Sequence, residues 1–96
     1  VLANAKRYNI RLIGPNCLGV MRPDIGLNAT FNHGNANPGN LAFVSQSGAL
    51  CTAILDWAKT NGIGFSSVVS MGSSIDVDFG EILDYLVCDV NTHSIL

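Results

Sequence analysis

The chain has 96 residues, of which 48% are hydrophobic and 12% are charged, and its formal net charge at pH 7 is −2. This composition is typical of one compact unit with enough apolar residues for a core. With only five lysines and arginines, the chain is not expected to bind nucleic acid or an anionic membrane surface as its principal partner. It has no run of about 18 apolar residues and no charged-then-apolar leader, so neither a membrane span nor a signal peptide is predicted.

The first 20 residues predict a short helix, a strand and a turn. Residues 1–8 place apolar side chains at helical spacing, but this stripe is too short to be stable unless it packs on another element. Residues 11–13 predict a strand, and Gly14-Pro15-Asn16 follows as its exit turn, because proline disfavours helical backbone at the preceding residue. We assign residues 1–20 to the end of one α/β domain.

Residues 21–40 are predicted to be an exposed, irregular linker. They are rich in asparagine, glycine and proline, as in Asn32-His33-Gly34-Asn35, and they lack helical periodicity. Residues 26–31 could form a short extended piece within this segment. The linker would connect two α/β units.

From residue 41 onward, short apolar runs alternate with helical stripes. Strands are predicted at 41–45, at 65–71 and from 94 onward, and helices at 48–61 and 79–88. The first of these helices is predicted to bury Leu50, Ala53, Ile54, Trp57 and Ala58. The alternation predicts an α/β fold with a doubly wound parallel sheet. Because the last strand stops after three residues, we interpret residues 41–96 as the first half of a truncated domain.

The turn at residues 45–49 predicts an anion-binding site. An apolar strand ends there in Ser-Gln-Ser-Gly, and an amphipathic helix begins at once. Ser45 and Ser47 offer hydroxyls and caps, and Gly48 lets the backbone approach a ligand. The free N–H groups and the positive end of the helix dipole suit a phosphate or carboxylate. A serine-capped helix start without any ligand is the alternative that this turn alone leaves open.

Asp76 and Asp78 follow the strand predicted at 65–71. Asp78 precedes the next helix and has Glu81 three residues later, a pattern typical of an N-cap with a capping box. Two aspartates at a strand exit would also suit a Mg²⁺ site of the kind found in receiver domains. We favour capping, and we assign no metal site.

Other catalytic patterns are weak. The chain has neither the Gly-x-Ser-x-Gly elbow of serine hydrolases nor the Gly-x-Gly-x-x-Gly fingerprint of dinucleotide-binding folds. Cys17 lies in a polar turn, but no neighbouring histidine or lysine in the sequence would activate its thiol as a nucleophile. His33 and His93 are predicted to be exposed. Cys17, Cys51 and Cys88 are odd in number and lack Cys-x-x-Cys spacing, which favours reduced thiols in a cytoplasmic protein.

Two motifs, together with the segments around them, resemble one protein family. Residues 14–19 read Gly-Pro-Asn-Cys-Leu-Gly, and residues 45–50 read Ser-Gln-Ser-Gly-Ala-Leu. With Leu27-Asn28-Ala29-Thr30-Phe31 between them, they resemble the NDP-forming acyl-CoA synthetases. That family includes ADP-forming acetyl-CoA synthetases and the α subunit of succinyl-CoA synthetase. Further matches are Ile54-Leu55-Asp56-Trp57, Gly64-Phe65-Ser66, Ser70-Met71-Gly72, Asp76-Val77-Asp78 and Ile82-Leu83-Asp84-Tyr85-Leu86.

The resemblance implies a flavodoxin-like succinyl-CoA synthetase domain in residues 41–96, after the end of a CoA-binding Rossmann-like domain in residues 1–20. It also implies that acyl-CoA and phosphate give an acyl phosphate, whose phosphoryl group then passes through a histidine to a nucleoside diphosphate. That histidine would lie beyond residue 96. The implied site residues are Ser45, Ser47, Gly48 and Ala49 for phosphate, and Asn16 and Cys17 near CoA and its acyl group.

The resemblance also implies cofactors and partners for the complete protein. They are coenzyme A as acyl-CoA, phosphate, and ADP or ATP with Mg²⁺, and further domains or an oligomer are expected. The 96 residues alone are expected to be inactive. Bacterial protein lysine acetyltransferases with a fused GNAT domain carry a similar region, which would serve acyl-CoA sensing or oligomerisation. A stand-alone flavodoxin-like binding module is a third alternative, and the residues do not determine the acyl group or the nucleotide.

Overall fold

The computed structural model describes residues 1–96 and shows three α-helices and one five-stranded sheet. The elements are α1 (Leu2–Arg7), β1 (Gly19–Arg22), a 3₁₀ turn (Pro23–Ile25), β2 (Leu27–Thr30), β3 (Pro38–Ser45), α2 (Gly48–Thr60), β4 (Phe65–Ser70), α3 (Phe79–Val87) and β5 (Ser94–Ile95). None of these helices is long and apolar enough to cross a bilayer.

The sheet is mixed, with the strand order β2-β1-β4-β3-β5. β3 pairs in parallel with both β4 and β5, because α2 and α3 carry the chain back across the sheet between them. β1 pairs antiparallel with β4 on one side and with β2 on the other. The predicted α/β fold is therefore confirmed, and its sheet is parallel in the second half of the chain. The β1-β2 hairpin adds an antiparallel edge that the sequence pattern did not predict.

Much of the segment predicted to be an irregular linker belongs to this sheet. Residues 21–40 contain the end of β1, the whole of β2 and the start of β3. Met21 is only 1% exposed and pairs with Asn28 and Val68. Gly26, with φ 70°, ends the 3₁₀ turn between the two short strands, where a left-handed backbone favours glycine. The expectation of an irregular backbone is wrong in these parts, because four-residue hairpin strands need no long apolar pattern. The expected exposure holds for the segment apart from Met21, which is its only buried residue.

Two hydrophobic clusters lie on opposite faces of the sheet. The pleat sends successive side chains of a strand to opposite faces, so Val68 and Val69 of β4 belong to different clusters. The cluster under α2 consists of Met21, Phe43, Cys51, Leu55, Ala58, Phe65 and Val68. The other cluster consists of Val69, Met71 and Val77, with Val20, Val44 and Ile82 packed against it. Every residue of β4 is buried, so this strand is the centre of the core.

The buried face of α2 is rotated relative to the prediction. The helix buries Cys51, Leu55 and Ala58. Leu50 and Trp57, both predicted to be buried, are 49% and 57% exposed. Ala53, also predicted to be buried, is exposed as well, whereas Leu55, which the prediction left out, belongs to the core. Of the five residues predicted to be buried, only Ala58 is among those that α2 buries.

Candidate functional site

A groove of about 520 Å³ lies at the carboxyl end of β3, beside the first turn of α2. Open α/β sheets bind ligands at this end of their strands. The lining residues are Asn16, Cys17, Leu18, Phe31, Gln46, Ser47, Gly48, Ala49 and Thr52. The two turns singled out in the sequence, at residues 16–17 and 45–49, therefore meet in one place. Of their residues, only Ser45 does not line the groove.

The N-terminus of α2 presents two free backbone donors to this groove. Ser47 is the N-cap, and its Oγ accepts a hydrogen bond from the N–H of Leu50 at 3.1 Å. Ser45 lies underneath, where its Oγ accepts from the N–H of Ser47 at 3.1 Å. The N–H groups of Gly48 and Ala49 have no acceptor within the chain. Two free donors and the positive end of a 13-residue helix suit an anion.

The opposite wall of the groove is the turn at residues 16–18. Leu18 donates its backbone N–H to the Oγ of Ser70, at 2.9 Å, which fixes the turn to the end of β4. Asn16 adopts φ 54°, a left-handed conformation that asparagine tolerates better than most residues. The thiol of the half-buried Cys17 lies 3.8 Å from the carbonyl oxygen of Ile13. Asn16 and Cys17 thus face the first turn of α2 across the groove.

A ladder of backbone hydrogen bonds holds that wall in position. The carbonyl oxygens of Leu12, Gly14 and Pro15 accept from the N–H groups of Val77, Ile75 and Ser73, at 3.1, 3.1 and 2.9 Å. Of residues 11–13, predicted to be a strand, only Leu12 takes part in this ladder, and the segment forms no regular strand of the sheet. Its partner is the loop after β4, which has no strand geometry of its own. The prediction of a strand at residues 11–13 is therefore wrong.

Asp76 anchors the same wall through charge. Its carboxylate accepts from the backbone N–H of Leu12 at 2.8 Å and forms an ion pair with Arg11 at 3.1 Å. Arg11 also pairs with Glu81 of α3 at 2.6 Å. The guanidinium of Arg11, together with the Leu12 N–H, lowers the pKa of Asp76 below its usual value. Arg11, which pairs with both Asp76 and Glu81, therefore joins the wall of the groove to the start of α3.

The alternative of a Mg²⁺ site at the two aspartates has no support in the structure. Asp78 caps α3 as predicted, since its Oδ1 accepts from the N–H of Glu81 at 2.9 Å. Glu81 does not complete a capping box, because its carboxylate is paired with Arg11 instead. No group of three or more histidine, cysteine, aspartate or glutamate side chains is placed to hold a metal ion. Both carboxylates are therefore used within the fold: Asp76 binds residues 11–12, and Asp78 caps α3.

Replacing Asp76 with asparagine should flatten the acid limb of the stability curve. Because the folded state lowers the pKa of Asp76 from its usual value of 3.8, its ion pair stabilises fully above that value. The stabilisation is lost as the pH falls through the lower folded pKa. Thermal melts across the acid range should show the Tm of the wild type falling more steeply than that of Asp76→Asn.

The matched control for that experiment is Asp56→Asn. Asp56 is exposed and takes part in none of the ion pairs of the chain. Its variant should keep the acid slope of the wild type. Asp24 and Asp89, whose pKa values are also lowered, will leave a residual slope in every variant. Equal slopes for Asp76→Asn and the wild type would contradict the anchoring role of Asp76.

The remaining nucleophilic side chains lie outside the groove. His33 and His93 are exposed, as predicted, and His93 sits beside Asn40, with 3.4 Å between the two side chains. Cys51 lies on the buried face of α2, where burial raises the pKa of its thiol. The groove is lined by neither of the two histidines, and by neither Cys51 nor the exposed Cys88.

Sequence reasoning missed four groove residues. Leu18, Phe31, Gln46 and Thr52 line the groove but were not predicted as site residues. Gln46 lies between the two predicted serines. Thr52 lies one helical turn after Gly48, and its hydroxyl donates to the carbonyl oxygen of Gly48 at 3.1 Å. Both positions could have been predicted from the sequence, Gln46 by its place in the turn and Thr52 by helical spacing from Gly48. Phe31 is distant in sequence, and only its place in the Leu27–Phe31 motif signalled it.

One protein-family model matches the sequence, that of the succinyl-CoA ligase like flavodoxin domain, over residues 38–96. This range is more than half of the chain. It contains β3, α2, β4, α3 and β5, the parallel part of the sheet and its two crossover helices. The first turn of α2, with its two free N–H groups, therefore lies inside the matched domain.

Relatives of known name agree with this match. The chain is 48% identical, over 96% of its length, to an ADP-forming acetate–CoA ligase I of Archaeoglobus fulgidus, and spans 13% of it. It is 51% identical, over 92% of its length, to an ADP-forming acetate–CoA ligase of Methanocaldococcus jannaschii, and spans 12% of it. A solved structure of a dinucleotide-forming acetyl-coenzyme A synthetase 1 of Candidatus Korarchaeum cryptofilum, in complex with phosphate and ADP, matches with a TM-score of 0.91. That match has 41% identity and covers 97% of this chain and 20% of the other. The chain therefore belongs to the succinyl-CoA ligase-like flavodoxin domain family of the NDP-forming acyl-CoA synthetases, as its motifs predicted.

Proposed function

We propose that the groove binds the phosphate and the phosphoryl group handled by an NDP-forming acyl-CoA synthetase. The complete enzyme would interconvert acyl-CoA, NDP and phosphate with a carboxylic acid, CoA and NTP. The observation that carries this proposal is the pair of unpartnered N–H groups of Gly48 and Ala49, at the positive end of α2. The names of the relatives, which are CoA ligases, and the phosphate in the Korarchaeum complex support it.

The residues of the groove have distinct roles in this proposal. Gly48 and Ala49 donate their N–H groups to phosphoryl oxygens, while Ser47 keeps the helix capped. When phosphate attacks the thioester carbonyl, the thiolate of CoA leaves and the acyl phosphate remains at this helix end. Asn16 and Cys17, on the facing wall, lie beside the acyl group. Cys17 is a wall residue here and takes no part as a nucleophile.

Other parts of the enzyme would supply what the groove lacks. Because the chain spans about one eighth of the two acetate–CoA ligases, the sites for CoA and for ADP or ATP with Mg²⁺ are assigned to further domains or subunits. The phosphorylated histidine is assigned there as well, since neither His33 nor His93 lines the groove. We keep residues 1–20 as the end of the CoA-binding domain, and 41–96 as part of the ligase domain. Three free cysteines agree with a cytoplasmic enzyme.

Phosphate binding can be followed directly at the two donors. Titration of the protein with inorganic phosphate should shift the amide resonances of Gly48 and Ala49 along a saturable curve. The amide of Gly62, which lies in the exposed turn after α2, serves as the reference and should barely move. Chloride at equal ionic strength should not reproduce the shifts, whereas sulfate should compete. Equal, non-saturating shifts at Gly48 and Gly62 would contradict a phosphate site.

The acetyltransferase alternative predicts a different activity. The full-length synthetase should form ATP from acyl-CoA, ADP and phosphate, while the 96 residues alone should form none. No feature of the groove favours a regulatory role in a GNAT fusion. Transfer of an acetyl group to lysine by the full-length protein, without ATP formation, would overturn the synthetase assignment.

A further inference from the structure

Phe31 is the most exposed aromatic side chain of the protein, with 86% of its surface accessible, and it lines the groove. It belongs to the Leu27–Phe31 motif, which the roles given above leave unexplained. A single exposed apolar residue is common on protein surfaces and by itself carries no function. The surroundings of Phe31 therefore decide what it does.

The backbone that carries Phe31 is held in place from both sides. Its N–H donates to the carbonyl oxygen of Leu18 at 3.2 Å, which ties the end of β2 to the groove wall. Asn28 and Asn32 each donate a side-chain N–H to the carbonyl oxygen of Gly34, at 3.2 and 2.9 Å. These bonds fold the loop after β2 back on the strand. The ring is thus presented on a fixed backbone, so a ligand that covers it orders few additional degrees of freedom.

Leu18 connects Phe31 to the anion donors. A Cβ placed on Gly48 would lie 3.5 Å from the Cβ of Leu18, which is ordinary van der Waals contact. Leu18 therefore lies beside the first turn of α2, and its backbone carbonyl oxygen accepts the hydrogen bond from Phe31. An anion at the N–H groups of Gly48 and Ala49 would have this apolar pair as neighbours within the same groove.

We infer that Phe31, together with Leu18, packs against the acyl group of an acyl phosphate whose phosphoryl group is held at Gly48 and Ala49. This inference rests on the proposed function and adds a specificity-determining residue to it. Inorganic phosphate has no apolar part, so it gains nothing from the ring. An acyl phosphate buries its chain against Leu18 and Phe31, and each methylene buried in this way strengthens binding roughly fourfold.

The test compares three anions in the wild type and in Phe31→Ala. Inorganic phosphate, acetyl phosphate and butyryl phosphate are titrated while the amides of Gly48 and Ala49 are followed by NMR. Because Leu18 stays in place and keeps part of the burial, Phe31→Ala should weaken butyryl phosphate roughly tenfold and acetyl phosphate roughly threefold, and should leave inorganic phosphate within about twofold. Phe31→Leu, which keeps an apolar side chain, should restore most of the loss. Because Phe31 is so exposed, both variants should fold normally, and circular dichroism will show it.

Ile25→Ala is the matched control, since Ile25 is 71% exposed but lies outside the groove. It should bind all three anions like the wild type. If phosphate binds but Phe31→Ala has the same affinity as the wild type for each of the three anions, the role of Phe31 is overturned and the phosphate site stands. If the wild type binds none of the anions at Gly48 and Ala49, the proposed function fails, and the inference fails with it.

Discussion

Replacing Gly72 with alanine should destabilise the protein by about 3 kcal/mol or more. The added Cβ would collide with neighbouring backbone atoms, and alanine is strained at the backbone angles of this position. Gly72 has φ 56°, in the left-handed region. A Cβ at this position would lie 2.2 Å from the carbonyl oxygen of Pro15 and 2.6 Å from that of Asn16. These are backbone atoms, which cannot turn aside as a flexible side chain would. Urea unfolding followed by circular dichroism will give the difference in the free energy of unfolding.

The control separates backbone strain from packing. Gly62 has a similar φ of 68°, but nothing lies within 4 Å of a Cβ built there. Gly62→Ala should therefore cost only about 1 kcal/mol, the strain of alanine at positive φ. The difference between the two variants measures how closely the loop after β4 packs on the turn that carries Asn16. Equal losses at Gly62 and Gly72 would show that this close approach does not hold the groove wall.

The elements that follow from the sequence are those encoded by a local pattern. α2 was predicted at 48–61 and lies at Gly48–Thr60, while α3 was predicted at 79–88 and lies at Phe79–Val87. Ser45 and Ser47 were predicted as caps of α2, and Asp78 as the cap of α3. Ser47 and Asp78 cap their helices through their side chains, whereas Ser45 accepts from the N–H of Ser47 instead. A cap and a periodic stripe are read within a few residues, so tertiary contacts had little chance to override them.

The elements that the sequence did not predict depend on distant partners. The β1-β2 hairpin is built from two strands of only four residues each, and β1 is stabilised by its pairing with the buried β4. Residues 11–13 have the composition of a strand, yet Arg11 and Leu12 bond to Asp76 and Val77 of the loop after β4. Phe31 reaches the groove because the hairpin returns the chain to Leu18. The turns at residues 16–17 and 45–49 could be assigned to the site from the sequence, but the place of Phe31 beside them could be known only from the pairing of the strands.

Charge at the first turn of α2 is expected to control the affinity for phosphate. Ser47→Asp should weaken phosphate binding roughly tenfold to a hundredfold, since one anion contact is worth about 1.5–3 kcal/mol. Aspartate caps a helix as well as serine does, so it can keep the hydrogen bond that Ser47 accepts from the N–H of Leu50. Its carboxylate would then stand beside the free N–H groups of Gly48 and Ala49 and repel an incoming anion.

Ser47→Asn is the matched variant, because asparagine also caps well, has nearly the same shape as aspartate and carries no charge. It should bind phosphate within about threefold of the wild type, which leaves the carboxylate as the cause of the loss in Ser47→Asp. Both variants should keep the helix content of the wild type, and Ser47→Asp should melt slightly higher because a negative charge suits the helix N-terminus. Phosphate titrations that gave the same affinity for the two variants, with both proteins folded, would reduce this turn to a capped helix start without an anion.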